Sequence, residues 1–203
     1  MWFFSYFSIS YTVTSVLTYA YDVYVDKMKH VHRTPEQLKS CAKEMLPTIL
    51  VNLFGVTLPY SLYIERQIED VERNQYGFFP NFAAVYVIAD FLTYYIHMLF
   101  HHPKLYFLHK RHHEYVYPLA MGALYANPID YFVINLWTFT APIFVLYPQD
   151  YIIKMIIIIA VVTTTLQSHG SYTFLDDAHL KHHKYYKVNY GLGLMDRICG
   201  TFK

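Results

Sequence analysis

Five apolar runs set the terms on which this chain can fold: residues 1–21, 48–64, 78–100, 129–147 and 151–166. A helix needs about 20 consecutive apolar residues to span a bilayer, and each run is near that length. Charged residues make up only 15% of the chain, against about 25% in ordinary soluble domains. The reading is an all-α integral membrane protein with four to five transmembrane helices. Residues 1–21 carry no charged side chain and lack both the basic start and the small-residue cleavage site of a signal peptide. They are read as an N-terminal membrane anchor, with residues 22–203 forming one further domain. A net charge of +1 argues against a nucleic-acid partner. Cys41 and Cys199 form no paired motif and suit a reducing compartment.

Between the runs, local signals mark the element ends. Thr34-Pro35-Glu36-Gln37 reads as a helix start, with Thr34 as the cap, Pro35 at the first helical position and Gln37 closing the box. That helix is expected to reach about Met45. Pro47 then opens the second run, and Pro59 is expected to kink it. Pro148-Gln149-Asp150 breaks the last two runs into a helical hairpin, with Lys154 able to snorkel.

Nine of the twelve histidines lie in two short stretches, 94–114 and 179–183, and His169 precedes the second by ten residues. His109, His112 and His113 stand at i, i+3 and i+4, and His179, His182 and His183 repeat that spacing. Each triplet is expected to present three imidazoles on one helix face. His97 and His101 are also i and i+4, while Pro103 frees His102 from the helix, so either His101 or His102 could turn inward. A structural zinc takes four ligands and usually includes cysteine. About twice that many imidazoles without paired thiols fit two metals better, and imidazole suits iron, copper, nickel or zinc. The bland alternative is a pair of basic helix faces near lipid headgroups. His30 and His32, isolated from these groups, are read as solvated.

The histidine groups flank a hairpin and so emerge on one side of the bilayer. Tracing back from His97 puts residues 22–46 on that side and the acidic 65–77 segment on the other. Thirteen of the 16 Lys and Arg then lie with the histidines, the exceptions being Arg66, Arg73 and Lys154. Positive residues mark the cytoplasmic side, so the histidines are expected to face the cytosol.

HMLFHH at 97–102, HKRHH at 109–113 and HLKHH at 179–183 resemble the histidine boxes of the fatty acid hydroxylase superfamily, which includes sterol C4-methyl oxidases, cholesterol 25-hydroxylases and sterol C5 desaturases. Met195-Asp196-Arg197-Ile198-Cys199-Gly200-Thr201 resembles that family's closing Trp-Asp-Arg/Lys-x-x-Gly-Thr, and Asn189-Tyr190 falls where it often has Asn and an aromatic. Residues 33–54 resemble the amphipathic lead-in of the C4-methyl oxidase branch. The resemblance covers roughly residues 33–203. It departs at Ala126-Asn127-Pro128-Ile129-Asp130, where sterol oxidases commonly have Ala-His-Pro-Leu-Glu, and at Met195, where the family has Trp.

The resemblance implies a bundle of membrane helices with a cytosolic helical cap holding a histidine-rich di-metal centre. It implies two non-haem irons, O2, and electrons from NAD(P)H through a separate reductase and a cytochrome b5-type carrier. The substrate would be a sterol or other membrane lipid, and the compartment the endoplasmic reticulum. Expected ligands are His97, His101 or His102, His109, His112, His113, His179, His182 and His183, with His169 as an additional one. Asp90 lies seven residues before His97, on its helix face, and an acid inside a span is usually functional. It is expected to hydrogen-bond a ligand ring. Asp196 is expected either to do the same or to form a salt bridge. A catalytically silent metal- or sterol-binding protein is the reading of another class. A metal transporter fits less well, since the histidines lie at helix ends and not along a path through the membrane.

Overall fold

The computed structural model describes residues 1–24, 34–116, 119–168 and 178–203, and among them every regular element is helical. Helix α1 is Trp2–Tyr24. Helix α2 is one rod built from Pro35–Leu50, a wider-turned stretch Val51–Thr57 and Leu58–Ile68. Helix α3 is Phe78–Phe100 and α4 the single turn Tyr106–His109. Helix α5 joins Pro128–Asp130, the wider-turned Tyr131–Trp137 and Thr138–Leu146. Helix α6 is Asp150–Thr163, continued by Thr164–Ser168. Two short helices, α7 (Ala178–Tyr185) and α8 (Leu194–Cys199), follow.

Thr34 starts α2 as its sequence predicts. Gln37 N donates to Thr34 Oγ1 (3.3 Å), and Thr34 N donates to Gln37 Oε1 (2.8 Å). The expected end near Met45 does not occur, because the helix runs on through Pro47. The backbone adjusts at Val51–Thr57 instead, just ahead of Pro59. Pro59 has no N–H to offer Gly55, and wider turns before it relieve the clash of its ring with that carbonyl.

Among the described residues, three helices are long and apolar enough to cross a membrane: Glu36–Ile68, Phe78–Phe100 and Pro128–Leu146. Helices α1 and α6 lie along them. Phe3, Phe7 and Tyr11 of α1 are buried with Ile153, Ile157 and Val161 of α6 in the main core. Buried Asn52 of α2 donates through Nδ2 to Leu124 O (2.8 Å) and Ala126 O (2.9 Å). That pair of bonds pins residues 119–126 to the bundle and fixes where α5 begins.

The two ends of the bundle differ. At one, Asn74 N donates to Tyr147 O (2.9 Å), Gln149 Nε2 donates to Asn74 O (2.9 Å), and Arg73 pairs with Asp150 (2.8 Å). The acidic loop after α2 and the α5–α6 turn therefore meet, as the charge argument requires. The other end gathers the C-terminus of α3, α4, α7 and the chain's tail. The histidines are there.

Candidate metal centre

Among the described residues, eight histidines converge in two adjoining groups. His97, His101, His109, His113 and His182 form one, and His112, His179 and His183 the other, with the ligating atoms of each group within 4.8 Å of one another. The triplets do not each share one face. His109 and His113 enter the first group while His112 enters the second; His179 and His183 enter the second while His182 enters the first. Positions i and i+4 point alike, but i+3 and i+4 diverge by about 100° around a helix axis. In the earlier triplet α4 also stops at His109 and a tighter turn, His112–Glu114, takes over. Each triplet therefore serves both groups.

His101 caps α3, its N–H bonded to His97 O (3.1 Å), and its ring turns inward. His102 turns outward, is exposed, and accepts from Lys104 N at Nδ1 (3.3 Å). Pro103 ends the helix between these two fates. His169 lies outside the described residues.

Inside the first group, ring nitrogens face one another. His97 Nε2 lies 2.9 Å from His109 Nε2, His113 Nε2 3.0 Å from His109 Nε2, and His101 Nε2 3.0 Å from His182 Nε2. In the second, His179 Nε2 lies 3.1 Å from His183 Nε2 and 3.3 Å from His112 Nε2. In four of the rings the other nitrogen points outward to an acceptor. His97 Nδ1 donates to Tyr190 O (2.7 Å), His182 Nδ1 to Val188 O (2.7 Å), His183 Nδ1 to Tyr115 O (3.1 Å) and His109 Nδ1 to Asp130 Oδ1 (2.9 Å). A proton held on Nδ1 leaves a lone pair on Nε2. Several lone pairs aimed at one point repel unless a cation sits between them. Donors on a bond of about 2.1 Å, set at right angles, stand about 3.0 Å apart. The donor set fits a metal.

Burial keeps these rings neutral. His109 and His182 are essentially inaccessible. Burial first, then neighbouring imidazoles, push His101 down to about 3 and hold His109, His113 and His182 well below the ordinary value. A histidine in the unfolded chain titrates near about 6.5, so below that pH unfolding takes up protons. The metal-stripped protein is expected to keep its stability above about pH 6.5 and lose it as pH falls toward the folded value of about 3. Melting temperature in detergent against pH checks this, and a flat profile would mean the rings protonate in place.

The two acids flagged in the sequence act one step away from the rings. Asp90 Oδ1 accepts from Leu192 N and its Oδ2 from Met195 N (2.7 Å). Asp196 accepts from Tyr190 N (2.8 Å), Gly191 N (2.7 Å) and Thr201 Oγ1 (2.6 Å). Among the described residues neither meets an imidazole, which corrects the expectation for Asp90. Backbone amides that would otherwise be orphaned beside a buried carboxylate claim it first. Together the two acids fold residues 190–195 into the loop whose Tyr190 carbonyl orients His97.

Among the described residues the acid that does meet a ring is Asp130, 2% exposed, which sequence reasoning passed over. Asn127 caps α5, its Oδ1 accepting from Ile129 N (3.0 Å), and so sets Asp130 in the first turn, where a helix favours negative charge. Its signal was the same as that of Asp90: an acid in an apolar span.

A cavity of about 360 Å³ runs from the histidines between α3, α5 and α6. His97, His109, His112 and His179 line one part, and Val85, Ala89, Ile134, Phe139, Ile156 and Ile159 supply much of the rest. An apolar chamber ending on a polar cluster is the usual form of a small-molecule site.

Helices fit to cross a membrane, carrying a buried double cluster of imidazoles over an apolar chamber, define a membrane polyhistidine protein. The family model for fatty acid hydroxylase matches residues 82–201, which include all eight clustered histidines. The chain belongs to the fatty acid hydroxylase family. It is 30% identical over 175 residues to the human fatty acid hydroxylase domain-containing protein 2, covering 78% of this chain and 51% of that protein. It is 29% identical to the Delta(7)-sterol 5(6)-desaturase erg32 of Schizosaccharomyces pombe, covering 97% of this chain and 64% of the relative. Methylsterol monooxygenase 1 of Gallus gallus is 30% identical across 57% of this chain and 43% of its own length. The chain thus spans 43% to 64% of the length of these relatives. No solved structure matches it.

Proposed function

We propose that this chain is a membrane-bound di-iron oxygenase that hydroxylates or demethylates a lipid, with a sterol such as a C4-methylsterol as the first candidate. The observation that carries the reading is the double imidazole cluster opening on an apolar cavity. One iron would be held by His97, His101, His109, His113 and His182, the other by His112, His179 and His183. His169 is proposed as a further ligand and Asp90 and Asp196 as indirect supports; His102, which faces solvent, is left out of the set. When bound, iron supplies oxygen activation and the power to remove hydrogen from an unreactive carbon.

The chain's own contribution is geometric. Outward hydrogen bonds from Nδ1 of His97, His109, His182 and His183 hold those rings' lone pairs inward. The apolar wall excludes water and seats a hydrocarbon skeleton against the cluster. Electrons would come from NAD(P)H through a separate reductase and a cytochrome b5-type carrier. The proposed setting is the endoplasmic reticulum, with the histidines toward the cytosol and residues 1–21 anchoring the domain formed by 22–203. The names of relatives, a desaturase and a methylsterol monooxygenase among them, support oxidation of a lipid and leave sterol desaturation or fatty-acyl hydroxylation as the sibling reading.

Metal content of detergent-purified protein tests the proposal. About two irons per chain are expected, lost in a His112→Ala, His182→Ala double variant that removes one ring from each group. Zinc alone, or metal indifferent to both substitutions, would instead favour a binding protein. With iron in place, lipid profiling against a sterol panel decides among the sibling reactions.

A further inference from the structure

Three rings of the first group are held from behind by hydrogen bonds, and two are not. His97, His109 and His182 donate from Nδ1 to Tyr190 O, Asp130 Oδ1 and Val188 O. Among the described residues His101 and His113 have no such bond. The buried Nδ1 of His113 lacks a partner, and the bond of the His101 ring runs inward to His182. Two tyrosines stand against these two rings instead. Tyr186 lies nearly flat on His113, with ring centroids 4.8 Å apart and planes 28° from parallel, and meets His101 edge-on at 6.2 Å. Tyr106 is 5.9 Å from His101 and 6.3 Å from His113, and the two tyrosine rings meet at 6.4 Å.

The backbone shows what Tyr186 costs. It ends α7, its N–H donating to His182 O (2.8 Å), with φ at +65°. A side chain is strained in that left-handed conformation, and glycine is the usual residue there. Helix α8 follows the usual pattern and ends on Gly200, with φ at +73°. Strain kept in place of a glycine points to a use for the side chain. Here the ring is what touches the cluster.

The tyrosines also stand on the side away from the apolar cavity. Among the described residues, the cavity walls include His97 and His109 of this group but neither His101 nor His113. Tyr186 is 37% exposed, and Lys184, Tyr185 and Lys187 beside it are exposed too. A hydrated cation entering the apolar cavity would give up its water with little to replace it. Behind Tyr186 and Tyr106, the first groups it would meet are imidazoles.

We propose that Tyr106 and Tyr186 are positioning residues that clamp His101 and His113, and that this clamp is the port through which the first group takes up and releases its ion. The inference rests on the metal-binding part of the reading above and needs nothing of its oxygen chemistry.

Cobalt(II) is the probe, because imidazole ligands accept it and its visible absorption reports coordination without turnover. In detergent-purified protein loaded with cobalt(II), the initial loss of that absorption after addition of EDTA gives the release rate. Tyr186→Gly removes the ring and relieves the backbone, so release should quicken about two- to tenfold, the worth of one aromatic contact. Tyr186→Phe keeps the ring and should release at the wild-type rate. Phe82→Ala, which widens the cavity, should do the same. Tyr106→Leu carries the expectation of the glycine variant should that variant not fold. Wild-type release from the ring-less variants, equal quickening in Tyr186→Phe, or quickening in Phe82→Ala alone would overturn the port. Cobalt bound by every variant and released at one rate removes the port alone, whereas wild-type protein that binds no cobalt removes the metal reading with it.

Discussion

Asp130→Asn is expected to weaken metal binding by about 10- to 100-fold, the range found when the outer partner of a ligating histidine is lost. The carboxylate accepts from His109 Nδ1 at 2.9 Å, and His109 Nε2 lies within 3.0 Å of both His97 and His113 Nε2. An amide can present its NH2 to Nδ1, which moves the ring proton to Nε2 and turns an electron pair into a proton at the centre of the cluster. Presenting its oxygen instead keeps the tautomer but gives up the negative charge. Both orientations weaken the ligand. Retained iron, measured after challenge with a chelator of known affinity, reports the change. Wild-type retention in Asp130→Asn would reduce the carboxylate to a packing group.

Gly191→Ala should be nearly as damaging from a position that touches no imidazole. A methyl group at residue 191 would overlap Asp90 Oδ1 and press against Asp196 Oδ2 and Tyr94 Cβ, each 3.3 Å away. None of these can step aside, since both carboxylates are held by backbone amides of the same loop. The loop itself must move, taking with it the Tyr190 carbonyl that orients His97. Overpacking of this kind costs about 1–3 kcal/mol. The melting temperature should fall and metal retention with it, whereas Gly77→Ala, where a methyl group meets nothing, should change neither. Unchanged melting and retention in Gly191→Ala would show that the loop has slack.

The histidine spacing and the apolar runs made the helical class and the two box regions legible before any coordinates. Spacing alone could not tell that each triplet divides between two groups, because that depends on how α7 docks against the turn at His112–Glu114. Nor could it choose between His101 and His102, which are separated by where α3 stops relative to Pro103. Asp90 was noticed for sharing a face with His97, yet periodicity reports direction and not what arrives from 100 residues away to occupy it. The tail loop arrives there. Asp130 was passed over because its meeting with His109 depends on where α5 begins, which the bonds from Asn52 to Leu124 and Ala126 set.

The divided triplets have a consequence for how the protein comes into being. Each short helical turn donates rings to both groups, so neither group can be assembled by a local segment closing on itself. The ends of two stretches some 70 residues apart must meet before either is complete, and when they meet both are complete together. Maturation of this centre is therefore a single late event in the life of the chain, reached only after the membrane helices have brought α3, α4 and α7 into register. If each group holds an ion as proposed, emptying one would slacken the scaffold of its neighbour and tie the retention of the two ions together.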